Sequence, residues 1–282
     1  MVSRRELAGM IGMGSVAAAL AAASSAPARA QGAEQSTFDR VMSTKKIRVG
    51  GVATGTPWWW KDQSTGEWGG QFADMSKALA ADTELELEVV ETTWGNAVLD
   101  LQANKIDLMF GLNPTPKRAL AIDFSVPVYD SALLVIARPD FEVTTWAALN
   151  DPAVKIAVDV GSAHDQVASR LCPNAQIIRF KSIDEATLAL RSRRADVQVI
   201  FWMGGVRAVK RDSSLGAVAV PQPFFGSTSN IGFRRETDKT WRDFVNVWVN
   251  YARGIGVVRE AVLKSLEQVD ITLDDLPPGV TF

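Results

Sequence analysis

The chain has 282 residues, 47% of them apolar and 22% charged, with a formal net charge of −2. This composition suits one large globular domain or two smaller ones, and the scattered Lys and Arg offer no nucleic-acid surface. A single cysteine, Cys172, excludes an internal disulfide. A single histidine, His164, argues against a His/Cys metal site, and nothing calls for a cofactor.

The first thirty residues read as a leader. Ser3-Arg4-Arg5-Glu6-Leu7 forms a charged head, an Ala- and Gly-rich run extends to about residue 23, and Ala28-Arg29-Ala30 offers an A-x-A cleavage site. The apolar run is too short and Ala-rich to span a bilayer comfortably, and the paired arginines are compatible with twin-arginine as well as general export. An exported, monomeric protein of a bacterial periplasm is expected, cleaved after about Ala30.

Lys46 to Ala53 reads as a short strand, broken by Gly55-Thr56-Pro57, and Ser64-Thr65-Gly66 reads as a turn. Residues 73–81 carry Met75, Ala78 and Leu79 at helical spacing. Leu85, Leu87 and Val89 alternate with glutamates as in a half-buried strand. A helix over 96–103 and a strand over 106–110 follow. A second set repeats the scheme: strand 155–160 ending in Gly161-Ser162, helix 164–171, strand 176–180, helix 184–191 with Asp184 as N-cap, and strand 197–201.

Between the sets, Ser131 to Ala137 is an apolar strand long enough to cross between two lobes, and Asn230 to Phe233 is a candidate for the return crossing. Trp241, Phe244, Val245, Trp248, Val249 and Ala252 fall at helix spacing, and a second helix runs from about Val257 to Leu266. The expectation is an α/β fold with a discontinuous first lobe (37–133 and 229–282) and a second lobe (134–228).

The segment FGLNPTPKRALAIDFSVPVYDS, residues 110–131, places a polar knuckle at a strand end, where α/β sheets bind ligands. Gly111 allows close approach to its carbonyl, Asn113 offers its N–H and its amide, and Arg118 offers a planar fork that matches a carboxylate. On residues alone, Arg118 equally fits a helix cap or a surface pair with Asp123.

NPTPKRALAIDFSVPVY resembles the T-x-T-P-E-R-x-x-x-x-D-F-S-x-P-Y signature of family 3 extracellular solute-binding proteins, the polar amino-acid receptors of ABC importers. Similar likeness runs along the chain in order. It includes Lys46-Ile47-Arg48-Val49-Gly50, Gly70-Gln71-Phe72-Ala73-Asp74, Thr93-Trp94, Lys105-Ile106-Asp107, Lys155-Ile156-Ala157-Val158 with Gly161-Ser162, and Arg194-Ala195-Asp196. The resemblance implies a two-lobed periplasmic binding protein fold of type II, with two crossover strands, that closes on a small carboxylate-bearing solute and delivers it to a membrane permease. It assigns Arg118 to the ligand carboxylate, helped by the Asn113 N–H and by Ser162 and the Ala163 N–H at a helix start. Gly111 would lend its carbonyl to an amine, and Trp94 would form a wall.

Two positions depart from the pattern. Phe201 stands where amino-acid receptors carry an acid for the α-ammonium, and Phe72 replaces the acid of "G-F-D". Asp159 could substitute as the acid or be a solvated strand end. Trp58 and Trp59, of the run Trp58-Trp59-Trp60, could line the cleft or fill the core, and His164 reads as a polar residue at a helix start. A binding protein without catalysis is the leading expectation. A cyclohexadienyl-dehydratase-like enzyme on the same fold is the alternative, and Asp159 is its one suspect acid.

Overall fold

The computed structural model describes residues 35–276, 280 and 282, so the expected leader lies outside the described residues. In chain order, helix α1 (Thr37–Thr44) leads into strand β1 (Lys46–Gly51). The two-residue strands β2 (Trp60–Lys61) and β3 (Trp68–Gly69) form a small hairpin before helix α2 (Gln71–Asp82). Next come β4 (Glu86–Glu91), α3 (Ala97–Gln102), β5 (Met109–Leu112), α4 (Pro116–Ala119) and β6 (Ile122–Phe124). A long strand, β7 (Tyr129–Ala137), precedes α5 (Trp146–Leu149), β8 (Lys155–Asp159), α6 (Ala163–Leu171), β9 (Gln176–Phe180), α7 (Ile183–Arg191) and β10 (Val197–Phe201). The chain continues through α8 (Trp202–Arg211), β11 (Ala217–Ala219), β12 (Gly226–Arg234), α9 (Thr240–Gly254) and α10 (Val257–Glu267).

The two long strands organise everything else. β7 and β12 pair antiparallel over Tyr129–Ala132 and Gly226–Ser229. Beyond that ribbon each strand changes partner. Residues 133–137 of β7 pair with β10, which continues in parallel to β8 and then β9. Residues 230–234 of β12 pair instead with β5 and β6. The parallel pair β1–β4 joins on that side, where Gly50 N–H donates to the Leu108 carbonyl at 3.0 Å. The result is two α/β lobes connected by two crossover strands. β7 is buried at eight of its nine residues, which accounts for its unbroken apolar sequence. The return strand is longer than its apolar residues predict, because its polar start, Gly226 to Ser229, is held by backbone pairing to β7 rather than by side-chain burial.

The C-terminal helices pack back on the first lobe. Trp241 Nε1 donates to the Asp107 carbonyl at 3.2 Å, Trp248 Nε1 donates to Asp82 at 2.8 Å, and Ser265 Oγ donates to the Pro57 carbonyl at 2.7 Å. Helix starts follow local chemistry. Ser162 and Ser182 cap α6 and α7, accepting from the N–H groups three residues on. The expected cap Asp184 is instead a first-turn acid of α7, where it favours the helix dipole. No helix among the described residues is long and apolar enough to cross a membrane.

One buried ion cluster ties the N-terminal helix to the sheet. The Asp107 carboxylate accepts from the Arg48 backbone N–H and guanidinium at 2.7 Å each, and pairs with Arg40 of α1. Its side chain is fully buried, so removing it strands two partly buried cations. Asp107→Ala is therefore expected to lower stability by about 3 kcal/mol, read as a lower denaturant midpoint with an unchanged slope.

Candidate ligand-binding site

A cavity lies where the ends of β5, β8 and β10 meet the β7–β12 ribbon. From the first lobe it is lined by Trp58, Phe72, Trp94, Gly111, Asn113 and Arg118; from the second, by Ser162, Ala163, His164, Ile183 and Phe201. The ribbon contributes Tyr129, Ser131 and Ser229, and the register pairs Ser229 with Tyr129.

Arg118 is the charged centre of this lining. It sits in the short helix α4, whose start is set by Thr115 as N-cap and Pro116 at the first helical position. Its side chain turns inward and is 5% exposed. The guanidinium donates to the Asn113 and Trp94 carbonyls, both at 3.2 Å. Among the described residues no carboxylate lies within ion-pair distance of it. Burial lowers its pKa to about 10, against the opposing field of Asp159. The surface pairing with Asp123 does not form, because that carboxylate is taken by Arg235 and Lys239.

Facing Arg118 from the second lobe is the start of α6. Ser162 is 2% exposed and caps the helix, and Ala163 begins it, so the positive end of the helix dipole lies on the cavity wall. Gly111 also lines the cavity, with φ +86. A Cβ there would come within 2.4 Å of the Phe72 ring, so the residue must be glycine as much for that packing as for any ligand. The Asn113 side-chain amide is not free to serve a ligand as the sequence suggests, since its Nδ2 donates to the Thr228 carbonyl at 3.0 Å.

Three expected site residues fall outside the cavity. Trp59 is fully buried in the lobe core, edge-on to Trp68 at 6.0 Å and tilted against Phe72, so only Trp58 of the tryptophan run lines the cavity. Gly161 lies on an outer groove with Lys117, Arg170 and Arg179. Asp159 is 5% exposed and borders a neighbouring cleft with Thr92, Thr93 and Lys181, not the cavity itself.

Its carboxylate is held by His164, whose Nδ1 lies 2.8 Å from Asp159 Oδ1. The other ring nitrogen, Nε2, accepts the Phe201 backbone N–H at 3.1 Å. A backbone amide can only donate, so the ring proton sits on Nδ1, facing Asp159. His164 thus ties the ends of β8 and β10 to the start of α6. It is buried and structural, where the sequence suggested a polar helix-start residue.

Sequence reasoning also left out Tyr129, Ser131 and Ser229. The alternation of Tyr129 and Ser131 around Asp130, next to an apolar strand, was the available signal. Burial pushes the Tyr129 phenol above its usual pKa, and Gln71 Nε2 donates to its oxygen at 2.6 Å.

The lobes touch at the cavity edge. Gly95 lies against the 160–161 backbone, and a Cβ added at Gly95 would meet the Val160 carbonyl oxygen at 2.8 Å.

Several known proteins resemble this chain. A cyclohexadienyl dehydratase of Pseudomonas aeruginosa is 22% identical over 238 residues, covering 83% of this chain and 88% of that protein. An arginine-binding extracellular protein of Bacillus subtilis is 24% identical over 174 residues, covering 59% of this chain and 66% of its own length. The crystal structure of the ancestral amino acid-binding protein AncCDT-1, a precursor of cyclohexadienyl dehydratase, matches with a TM-score of 0.73 and 29% identity over 82% of this chain and 99% of that one. The solute receptor for L-cysteine of Neisseria gonorrhoeae shares the fold, with a TM-score of 0.75 at 21% identity over 88% of this chain and all of that one (100%).

Burial raises the Asp159 carboxyl pKa, but His164 and Ser162 outweigh it and hold the group below its usual value. A depressed carboxylate stabilises the fold above its unfolded pKa of about 4, and that stability is lost as pH falls toward the folded value. Asp159→Asn should therefore be less stable than wild type at neutral pH, with the gap closing as pH drops below about 4, as followed by thermal denaturation across pH. The family model for bacterial extracellular solute-binding proteins, family 3, matches residues 47–268, and the chain belongs to that family.

Proposed function

We propose that the protein is the periplasmic solute receptor of an ABC importer. In this reading its leader is removed after about Ala30. The lobes 37–133 with 229–282 and 134–228 close as a monomer around a small carboxylate-bearing solute, and the closed form docks on a membrane permease. The observation that carries the proposal is the buried Arg118 guanidinium on the cavity wall with no carboxylate paired to it among the described residues. A cation kept in such a place is costly unless an anion arrives. The carboxylate of the solute is that anion, gripped by the Arg118 fork, the Asn113 N–H and the start of α6.

A dehydratase reading draws support from the Pseudomonas relative. It requires a general acid in contact with the substrate. The cavity lining includes no Asp or Glu, and both nitrogens of His164 are engaged. The lining therefore favours binding over turnover.

Arg118→Met is expected to leave the fold intact and raise the melting temperature of the ligand-free protein, because it replaces an unpaired buried cation with an apolar group. The same variant should lose the ligand-induced shift in melting temperature. Retention of carboxylate binding in calorimetry would overturn the proposal. Closure is tested separately by Gly95→Val. The added side chain strikes the Val160 carbonyl across the contact between the lobes, so affinity should fall about tenfold or more.

A further inference from the structure

We propose that the solute is a carboxylate with an apolar, preferably flat body and no ammonium group, carrying at most a neutral oxygen substituent. This rests on the receptor reading above and extends it to the charge of the ligand.

The charge of the cavity comes first. Its lining holds one formal cation, Arg118, and no Asp or Glu. The carboxylate behind the wall, Asp159, is 5% exposed, hydrogen-bonded to His164, and opens on a different cleft. A solute's carboxylate therefore completes an ion pair, while a solute's ammonium would lose its water with no carboxylate among the described lining residues to receive it. Close to Arg118 that ammonium would also be repelled by the like charge. An aromatic face attracts a cation far less than a carboxylate does.

The walls point the same way. Phe72 and Phe201 are 1% and 6% exposed, and both line the cavity, with Trp58, Trp94 and Tyr129 completing the aromatic surface. Phe72 is fixed between the Phe110 and Tyr129 rings, near-parallel to each at 6.1 Å, so it cannot swing aside to admit water or an acid. Phe201 is fixed by the hydrogen bond from its N–H to His164 and by ring contact at 4.8 Å. Such surfaces reward apolar, planar groups.

The remaining polar feature is a hydroxyl. Ser229 Oγ is buried on the cavity wall beside the Tyr129 hydroxyl, with which it interacts. A hydroxyl can donate to a keto oxygen, or exchange a hydrogen bond with an alcohol, without requiring charge.

The test is calorimetry on the purified protein with matched sets that differ only at the nitrogen: phenylalanine, phenylpyruvate and phenylpropanoate; leucine, its keto acid and its deaminated acid; and trimethylglycine beside its carbon isostere, tert-butylacetate. In at least one set the nitrogen-free member should bind about tenfold tighter or more than the nitrogen-bearing one. Phe201→Glu should narrow or reverse that ratio, and Phe201→Gln, which adds no charge, should not restore amino-acid binding. Equal or tighter binding of the amino acids, lost in Arg118→Met, would overturn this inference and leave the receptor reading standing. Tighter binding of trimethylglycine than of tert-butylacetate would overturn it as well, by showing the aromatic wall to be a cation cage. Absence of binding across all sets would overturn both this inference and the receptor reading.

Discussion

An arginine sealed from water without a carboxylate beside it is the constraint on which the rest of this structure turns. The guanidinium of Arg118 satisfies part of its hydrogen-bonding capacity on two carbonyls, Asn113 and Trp94, and only the more distant field of Asp159 offsets its charge. A protein gains no stability from such an arrangement. Its purpose has to be sought in what fills the cavity, and the fold is arranged so that the opposing wall is also positive in character. The start of α6 presents the dipole end of a nine-residue helix, already capped by Ser162, toward the same space. Two independent sources of positive potential from two lobes converge there. An anion bound between them holds the lobes together, which couples binding to closure.

That convergence depends on the ribbon of β7 and β12. Because each strand changes partners along its length, one continuous hydrogen-bonded sheet serves both lobes and fixes their strand ends toward a common point. The ribbon also lines the cavity with Tyr129, Ser131 and Ser229. Residues that connect the lobes therefore touch the same space as residues that bind. The contact at Gly95 adds a steric limit: the lobes meet backbone to backbone, with no room for a side chain between them.

Much of this was legible in the sequence, for reasons that differ by residue. The element order followed from hydrophobic patterning: Thr240–Gly254 buries one helical face, and Val197–Phe201, apolar at four of five residues, is buried throughout. Arg118 was legible only as a residue type in a suggestive place; its inward turn depends on Asp123 finding other cations, Arg235 and Lys239, from more than a hundred positions away. Trp59 and Trp58 could not be separated by pattern, because adjacent residues in an irregular segment have no fixed faces. The hydrogen bonds of His164 join residues 5 and 37 positions apart, so its structural role appears only once the strand ends meet. Helix α8 went unread because Gly204 and Gly205 weaken its helical signal. In the fold those glycines make room for Trp58 and Leu134 to pack closely.

The most informative departures are the two phenylalanines. Part of the lining, Arg118 and the start of α6, suits an anion through features that the local backbone supplies: a Thr-Pro helix start and a Ser cap. The rest of the lining includes side chains whose type can change without moving the backbone. Phe201 closes a strand whose five residues are all buried, and Phe72 sits on a helix face packed among rings. An acid at either position would need a buried counter-charge, supplied by a cationic group of the ligand or taken from Arg118. A phenylalanine removes that requirement and makes the same scaffold hostile to an ammonium. The anion grip is thus set by the fold, while the charge tolerated at the other end of the ligand is set by one or two side chains. A single substitution at that wall can redirect specificity while leaving the fold, the closure and the arginine as they are.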